Sequence, residues 1–322
     1  MTDPVLINLD LLRGHLRHRV ALARYTSWRV GGPAERFYEP ADLDDLCAFL
    51  RQLPHEEPVL FIGLGSNLLV KDGGVRGTVV YLHGLLADLR VVARDDFPEF
   101  AQLLRESDRV IYAEVGVSSP KLARFAANEG LAGAEFLAGI PGTIGGALAM
   151  NAGCHGFETW GAVLQVMTVD RGGHLHLRPH EAFDVGYRSV RFIAGEEEWF
   201  IAAWLRFAQG TVVADTRVDA KAEIKRMLDR RAATQPLTLP NAGSVFRNPD
   251  GDHAARLIES CGLKAMRIGD AQVSEKHANF IVNLGHARAA DIEALIQQVQ
   301  AAVKAQTGIY LVREVRIVGE AI

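Results

Sequence analysis

The sequence predicts an α+β protein with a two-lobed N-terminal domain over residues 1–210, its lobes at about 20–83 and 84–210, and a C-terminal domain over residues 211–322. Three observations carry that expectation. A chain of 322 residues, 48% of them hydrophobic, buries more than one core. Short buried strands alternate with helix-spaced segments and glycine-rich turns as far as residue 210. Beyond that point the composition shifts to a basic amphipathic segment, and the chain ends in a long helix and a strand.

The elements follow in order. Ala34–Tyr38, behind Gly31-Gly32-Pro33, reads as a strand, and Leu43, Leu46, Cys47 and Leu50 recur at helical spacing after Pro40. Val59–Ile62 is a second buried strand that enters the turn Gly63 to Leu69, and Gly73-Gly74 leads into a strand at Thr78–Leu82. The second lobe opens with a strand at Val110–Val117, then a helix with Ser119 as N-cap, Pro120 in its first position and Gly130 just past its end. From Gly133 to Gly156 the chain reads GAEFLAGIPGTIGGALAMNAGCHG. That glycine density rules out a regular helix and implies close backbone approach to something. A hairpin at Asp170-Arg171-Gly172-Gly173 and a strand at Phe200–Phe207 complete the lobe. In the last domain Ile224, Met227 and Leu228 share one helical face. A final helix carries Ile292, Leu295, Ile296, Val299 and Val303 on one stripe and stops at Gly308.

Charge and cysteine usage exclude several classes. With 35 basic and 39 acidic residues, net charge −4, no broad basic face is expected, so neither nucleic acid nor an anionic membrane is the expected partner. Cys47, Cys154 and Cys261 are odd in number and far apart, which argues against a disulfide framework or a zinc site and for a reducing cytoplasm. The first 19 residues are broken by Asp3, Asp10, Arg13 and Arg17, so no signal peptide is expected, and no later segment approaches a membrane-spanning length. No metal site and no obligate protein partner is expected.

A glycine-rich turn after a buried strand presents backbone N–H groups to an anion, so Gly63, Leu64, Gly65, Ser66, Asn67 and Leu68 are a candidate phosphate cradle. On these residues alone a plain tight turn is an equal reading. GLGSNL lacks the third glycine of the Rossmann fingerprint, and no βαβ unit with a suitably placed acidic residue follows, so that fold is rejected. A second tract, Gly139, Ile140, Pro141, Gly142, Thr143, Gly145, Gly146 and Ala147, suggests two glycine-rich segments holding one long dinucleotide.

Seven motifs then fall in one order: TSWRVGG, GLGSNLLV, AGIPGTIGGA with MNAG, GYRS, NAGSVFRNP, SEKHANFIVN and REVRIVG. In that order the chain, from about Tyr25 to Gly319, resembles the UDP-N-acetylenolpyruvoylglucosamine reductase family, and its first four motifs resemble FAD-binding domains of the vanillyl-alcohol-oxidase type. The resemblance implies non-covalent FAD, with Asn151 and Gly153 of MNAG joining the two tracts as cofactor-binding residues. It also implies NADPH as co-substrate and reduction of UDP-N-acetylglucosamine enolpyruvate to UDP-N-acetylmuramate for peptidoglycan precursors. Carried over residue by residue, the catalytic groups fall on Arg188, Ser244 and Glu314, and substrate binding on Tyr187, Arg188, Asn248, Lys276 and His277. The chain resembles the shorter family type: Pro249 to Ala254 leaves no room for the insertion that closes a loop tyrosine over the substrate diphosphate. Lys276, His277, Arg231 and Gln235 are then the candidates for that clamp. Cys154, His155, Ala265 and Asp270 depart from the residues usual in the family.

Without the shared order these residues read differently. Glu314 would be a strand residue in a solvated pair with Arg316, Arg188 a surface loop residue near Asp184, Ser244 a turn serine, His277 a satisfied histidine and Lys276 an exposed lysine. A flavin oxidase of the broader superfamily and a non-catalytic flavin- or UDP-sugar-binding protein are the rival functions. A serine hydrolase is excluded because NAGSV lacks the GxSxG elbow.

Overall fold

The computed structural model describes residues 7–93, 96, 104–210, 212–213, 216–217 and 219–322. The boundary expected at 210/211 meets a residue outside this set, as does the beginning of the N-terminal stretch, 1–6. Packing divides the chain into two compact units that do not follow chain order. The first comprises Met1–Leu16, Tyr38–Gly63 and Val80–Asp229; the second comprises Arg17–Phe37, Leu64–Val79 and Arg230–Ile322.

The first unit is built on an antiparallel sheet with strands in the order Leu175–Pro179, Val163–Asp170, Glu198–Gln209, Asp108–Glu114 and Leu89–Val92; Leu131–Ala132 is a further partner of Glu198–Gln209. The two-residue period of Glu198–Gln209 sends Ile201, Ala203, Leu205 and Phe207 into one core and Ala202 and Trp204 into a smaller one on the opposite face. Both faces are covered, so the strand reads as a continuous apolar run. The hairpin expected at 170–173 is present, with Gly173 N–H donating to Asp170 O at 3.0 Å. The Leu43–Leu50 helix and the Val59–Ile62 strand also lie where the sequence put them, and Asp42 caps the helix by accepting from Asp45 N–H.

Several local expectations are corrected. The glycine tract holds a seven-residue helix, Ile144–Met150. Its glycines serve tight packing: a Cβ at Gly145 would lie 2.9 Å from Val115 Cβ. The N-cap position of the Ser119–Asn128 helix is Ser118, whose side chain makes no capping bond, leaving Ser119 as its first residue and Pro120 as its second. The strands expected at Thr78–Leu82 and Val110–Val117 run Val75–Tyr81 and Asp108–Glu114. On the Ala220–Thr234 helix, Ile224 and Met227 are buried but Leu228 is exposed.

In the second unit the strands Arg267–Ile268, Ala271–Val273 and Ile281–Asn283 form a small antiparallel sheet beneath the Ala289–Thr307 helix. That helix buries Ile292, Leu295, Ile296, Val299 and Val303 and ends at Gly308, φ +76°, as its stripe and its glycine required. The N-terminal segment belongs to this core because Trp28, wholly buried, donates from Nε1 to Ile281 O (2.7 Å), while Asn283 Nδ2 donates to Trp28 O (3.0 Å). Strand Leu68–Val70 pairs in parallel with the closing strand Arg316–Val318. These long-range bonds, invisible to local pattern, decide which segments pack together.

Candidate active site

Leu64 to Leu68 turns about Gly65, whose φ of +66° is left-handed. A Cβ there would lie 2.0 Å from Tyr25 O, so the position admits only glycine. Ser27 N–H fixes the turn by donating to Gly65 O at 3.2 Å. Among the described residues the backbone N–H groups of Leu64, Gly65 and Asn67 meet no protein acceptor. Donors grouped around one left-handed residue make a concave anion site, which suits a pyrophosphate.

The second tract is different. Ile144 N–H donates to Val117 O (2.8 Å), Gly145 N–H to Val115 O (3.0 Å), Ala147 N–H to Thr143 O (2.9 Å) and Gly146 N–H to Thr143 Oγ1 (3.5 Å). Its amides hold the protein together, and what it offers a ligand is room: a Cβ at the exposed Gly146 would meet nothing within 4 Å. Gly63 lies against the same helix start, where a Cβ would fall 2.4 Å from Thr143 Oγ1. The chemistry of these two tracts, anion donors in one and open backbone in the other, fits FAD.

Asn151 follows the helix in left-handed conformation, φ +41°, and is 2% exposed. Its Nδ2 donates to Glu158 Oε2 (2.8 Å) and Gly186 O (3.1 Å), and its Oδ1 accepts from Trp160 N–H (3.1 Å). Both amide hydrogens are engaged inside the protein. Around this turn lies Arg188, itself left-handed at φ +54°, donating from Nη1 to Asn151 O (3.1 Å) and from Nη2 to Gly153 O (2.7 Å). Glu158 Oε1 stands 3.8 Å from Nη1, and the Tyr187 ring lies 4.9 Å from the guanidinium carbon. Asp184, the neighbour expected for Arg188, pairs instead with Arg191 at 2.8 Å.

In the second unit Ser244 follows Gly243, φ +73°, in a turn that Asn241 organises by accepting from Gly243 N–H (3.0 Å) and donating to Leu239 O (2.8 Å). Val245 N–H then donates to Asn279 O (2.9 Å), and Val245 O accepts from Glu314 N–H (2.8 Å). Ser244 and Glu314 are thus brought onto neighbouring segments. Among the described residues the Ser244 hydroxyl makes no hydrogen bond. Glu314 is not in a regular strand: Arg313 forms an isolated bridge with Phe246, and the closing strand starts only at Arg316. Asn67 Nδ2 donates to Glu314 O (3.2 Å), so the Leu64–Leu68 turn meets the same segment.

Lys276 Nζ donates to Ala232 O (2.5 Å) and lines, with Gln235, Leu237, Leu239 and Leu284, a groove of about 430 Å³. Arg231 Nε donates to Gln235 Oε1 (3.0 Å). Burial pushes the His277 imidazole below its ordinary value, Lys264 adds to this, and Nδ1 accepts from Asn279 N–H (3.3 Å). At neutral pH it is an uncharged group. Asn248 Oδ1 accepts from Ala254 N–H (3.1 Å) at the start of the Ala254–Ser260 helix, reached directly from a turn closed by Asp252 N–H to Pro249 O (3.1 Å). Sequence reasoning assigned no role to Asn241, Asn279 or Glu158; the last was signalled only by its charge beside an apolar, glycine-rich tract. Ala265 holds φ +62°, the left-handed backbone that a glycine takes without strain.

Residues 34–177 match the family described as FAD binding domain, and residues 235–318 match the family described as UDP-N-acetylenolpyruvoylglucosamine reductase, C-terminal domain. The UDP-N-acetylenolpyruvoylglucosamine reductase of Thiobacillus denitrificans is 54% identical over 310 residues, 96% of this chain and 94% of that protein. The protein of the same name from Alkalilimnicola ehrlichii is 56% identical over 308 residues, 96% of each chain. Among solved structures, the UDP-N-acetylenolpyruvylglucosamine reductase of Thermus caldophilus matches with TM-score 0.73 and 29% identity, covering 96% of this chain and 100% of that one. The fold class is therefore α+β, with an FAD binding domain and a C-terminal domain of the reductase family.

Proposed function

Because this chain belongs to the UDP-N-acetylenolpyruvoylglucosamine reductase family, we propose that it reduces UDP-N-acetylglucosamine enolpyruvate to UDP-N-acetylmuramate, with NADPH as the electron source. FAD, when bound, supplies the hydride for the terminal enolpyruvyl carbon. We assign it to residues 1–210, with the phosphate turn Leu64–Leu68 taking its pyrophosphate and Gly146 its close approach. The sugar nucleotide goes to 211–322, where the groove beside Lys276 and Gln235 has apolar walls for a nucleoside and donors for a diphosphate. We place the reaction in the cytoplasm on the cysteine usage, three thiols far apart in the chain. No helix among the described residues is long and apolar enough to cross a membrane.

The chain's own groups have these tasks. Hydride arriving at the terminal carbon drives negative charge into the substrate carboxylate, and Arg188 binds that carboxylate with a permanent positive charge. Glu314, protonated, donates to an oxygen of the same group as charge grows. Ser244 delivers the proton to the carbon bearing the carboxylate. The observation that supports this reading most directly is the Glu314 N–H to Val245 O bond, which joins the segments that carry the two proposed donors, with the Ser244 hydroxyl carrying no hydrogen bond among the described residues.

Ser244→Ala tests it. NADPH-driven bleaching of the oxidised-flavin absorption band should survive the change. Recovery of that band on adding the enolpyruvyl substrate should slow roughly 10²–10⁴-fold in anaerobic stopped flow. Recovery at the wild-type rate would remove Ser244 from the role of proton donor.

A further inference from the structure

Arg188 does not hold its pose unaided. Three of its contacts converge on one segment, 151–158, that begins with a buried turn: the carbonyls of Asn151 and Gly153, at 3.1 and 2.7 Å, and the carboxylate of Glu158, at 3.8 Å. That turn is left-handed at a non-glycine residue, a conformation that persists only where the surroundings enforce it. The enforcement is visible. Asn151 Nδ2 is held between Glu158 Oε2 and Gly186 O, and Gly186 ends the first strand of the Phe183–Gly186/Ser189–Phe192 hairpin whose connection carries Arg188. One carboxylate therefore anchors the side chain of Asn151 through Oε2 and faces the guanidinium through Oε1. The Glu158 side chain is 40% exposed while that of Arg188 is 14% exposed, so Glu158 stands on the solvent side of the cluster.

We propose that Glu158 is a positioning residue for Arg188: through Asn151 it fixes the turn whose carbonyls aim the guanidinium, and it touches neither substrate nor cofactor. The inference rests on the reading that Arg188 binds the substrate carboxylate. It also reassigns Asn151, whose side-chain hydrogens are both engaged in this cluster, from cofactor ligand to part of the support. A guanidinium held by two carbonyls is fixed in plane and direction, and misplacement of such a group by about 1 Å costs on the order of 10²-fold.

The test uses the full-length holoenzyme and UDP-N-acetylmuramate, the carboxylate-bearing product, as probe. Its affinity for the oxidised protein is measured by calorimetry for wild type, Glu158→Ala, Glu158→Gln, Arg188→Ala and the Glu158→Ala/Arg188→Ala double variant. FAD content and thermal melting are recorded for each. Glu158→Ala should weaken binding about 10- to 100-fold. Glu158→Gln should recover most of this, because its amide oxygen still accepts from Asn151 Nδ2. In the Arg188→Ala background Glu158→Ala should change nothing further, since a residue acting through another has no effect once that other is gone. Equal losses from Glu158→Ala in both backgrounds, no loss in the wild-type background, or no recovery in Glu158→Gln would each overturn the proposal. Wild-type affinity in Arg188→Ala alone would instead remove Arg188 from carboxylate binding, a separate failure with its own signature. Should Glu158→Ala not fold, Glu158→Gln with and without Arg188→Ala decides the question: near-wild-type affinity over an intact Arg188 is required.

Discussion

The two glycine-rich tracts look alike in sequence and differ in what their backbones do. In Leu64–Leu68 the amides of Leu64, Gly65 and Asn67 meet no protein acceptor among the described residues, and glycine is needed for a left-handed bend over Tyr25 O. In Gly139–Ala147 the amides of residues 144–147 are engaged by Val115, Val117 and Thr143, and the glycines let a short helix lie close to its neighbour or leave space open. Glycine content alone thus signals close approach without saying whether a ligand or the protein itself approaches. Alanine substitutions separate the cases.

The largest effect is expected at Gly65. An alanine must hold φ near +66°, costing about 1–2 kcal/mol, and must displace the Tyr25 carbonyl, whose oxygen lies 2.0 Å from the new Cβ, a main-chain overpacking worth roughly 1–3 kcal/mol more. Chemical denaturation of the FAD-free protein should show a loss of about 3 kcal/mol. Stability equal to wild type would mean that this bend is not fixed by the fold, and the contrast between the tracts would fail.

Gly63→Ala should be milder, because its clash is with a side chain. The new methyl lies 2.4 Å from Thr143 Oγ1, and Thr143 can turn away at the expense of the cap it gives Gly146 N–H. A lost N-cap costs about 1 kcal/mol. In a Thr143→Ala background the penalty should therefore vanish. A full penalty persisting in the double variant would show that Gly63 is constrained by something other than Thr143.

Much of this architecture was legible in the chain, and what was not has a common cause. The Val59–Ile62 strand, the Leu43–Leu50 helix and the stripe from Ile292 to Val303 follow from local period and cap, and each forms as expected. The partition into compact units was not legible, since it depends on Trp28 reaching Ile281 and on Leu68–Val70 pairing with a strand some 250 residues later. The helix Ile144–Met150 was missed because propensity counts glycine as a loss and cannot see the Val115 surface that repays close packing. In the candidate site, shared motif order pointed to Ser244 and Glu314 as partners, and the backbone brings their segments together. The support of Arg188 was out of reach: nothing in the spacing of Asn151, Glu158 and Gly186 says that one amide side chain joins all three.

The smallest effect on the fold, and the most discriminating, is expected at Gly146. It sits third in the Ile144–Met150 helix without positive φ, and a Cβ there would meet no atom within 4 Å. Alanine is favoured over glycine inside a helix by about 0.5–1 kcal/mol, so the FAD-free protein should be unchanged or slightly stabilised by Gly146→Ala. The open space around it faces a different constraint once a ligand is present. If FAD lies against this backbone, the added methyl occupies its contact surface, and fluorescence titration should show weaker binding even as the apoprotein becomes no less stable. At Gly65 both quantities fall together, because fold and ligand need the same glycine. At Gly146 they should move apart, because only the ligand needs it. Unaltered FAD affinity in Gly146→Ala would mean that the open backbone of the second tract does not face the cofactor.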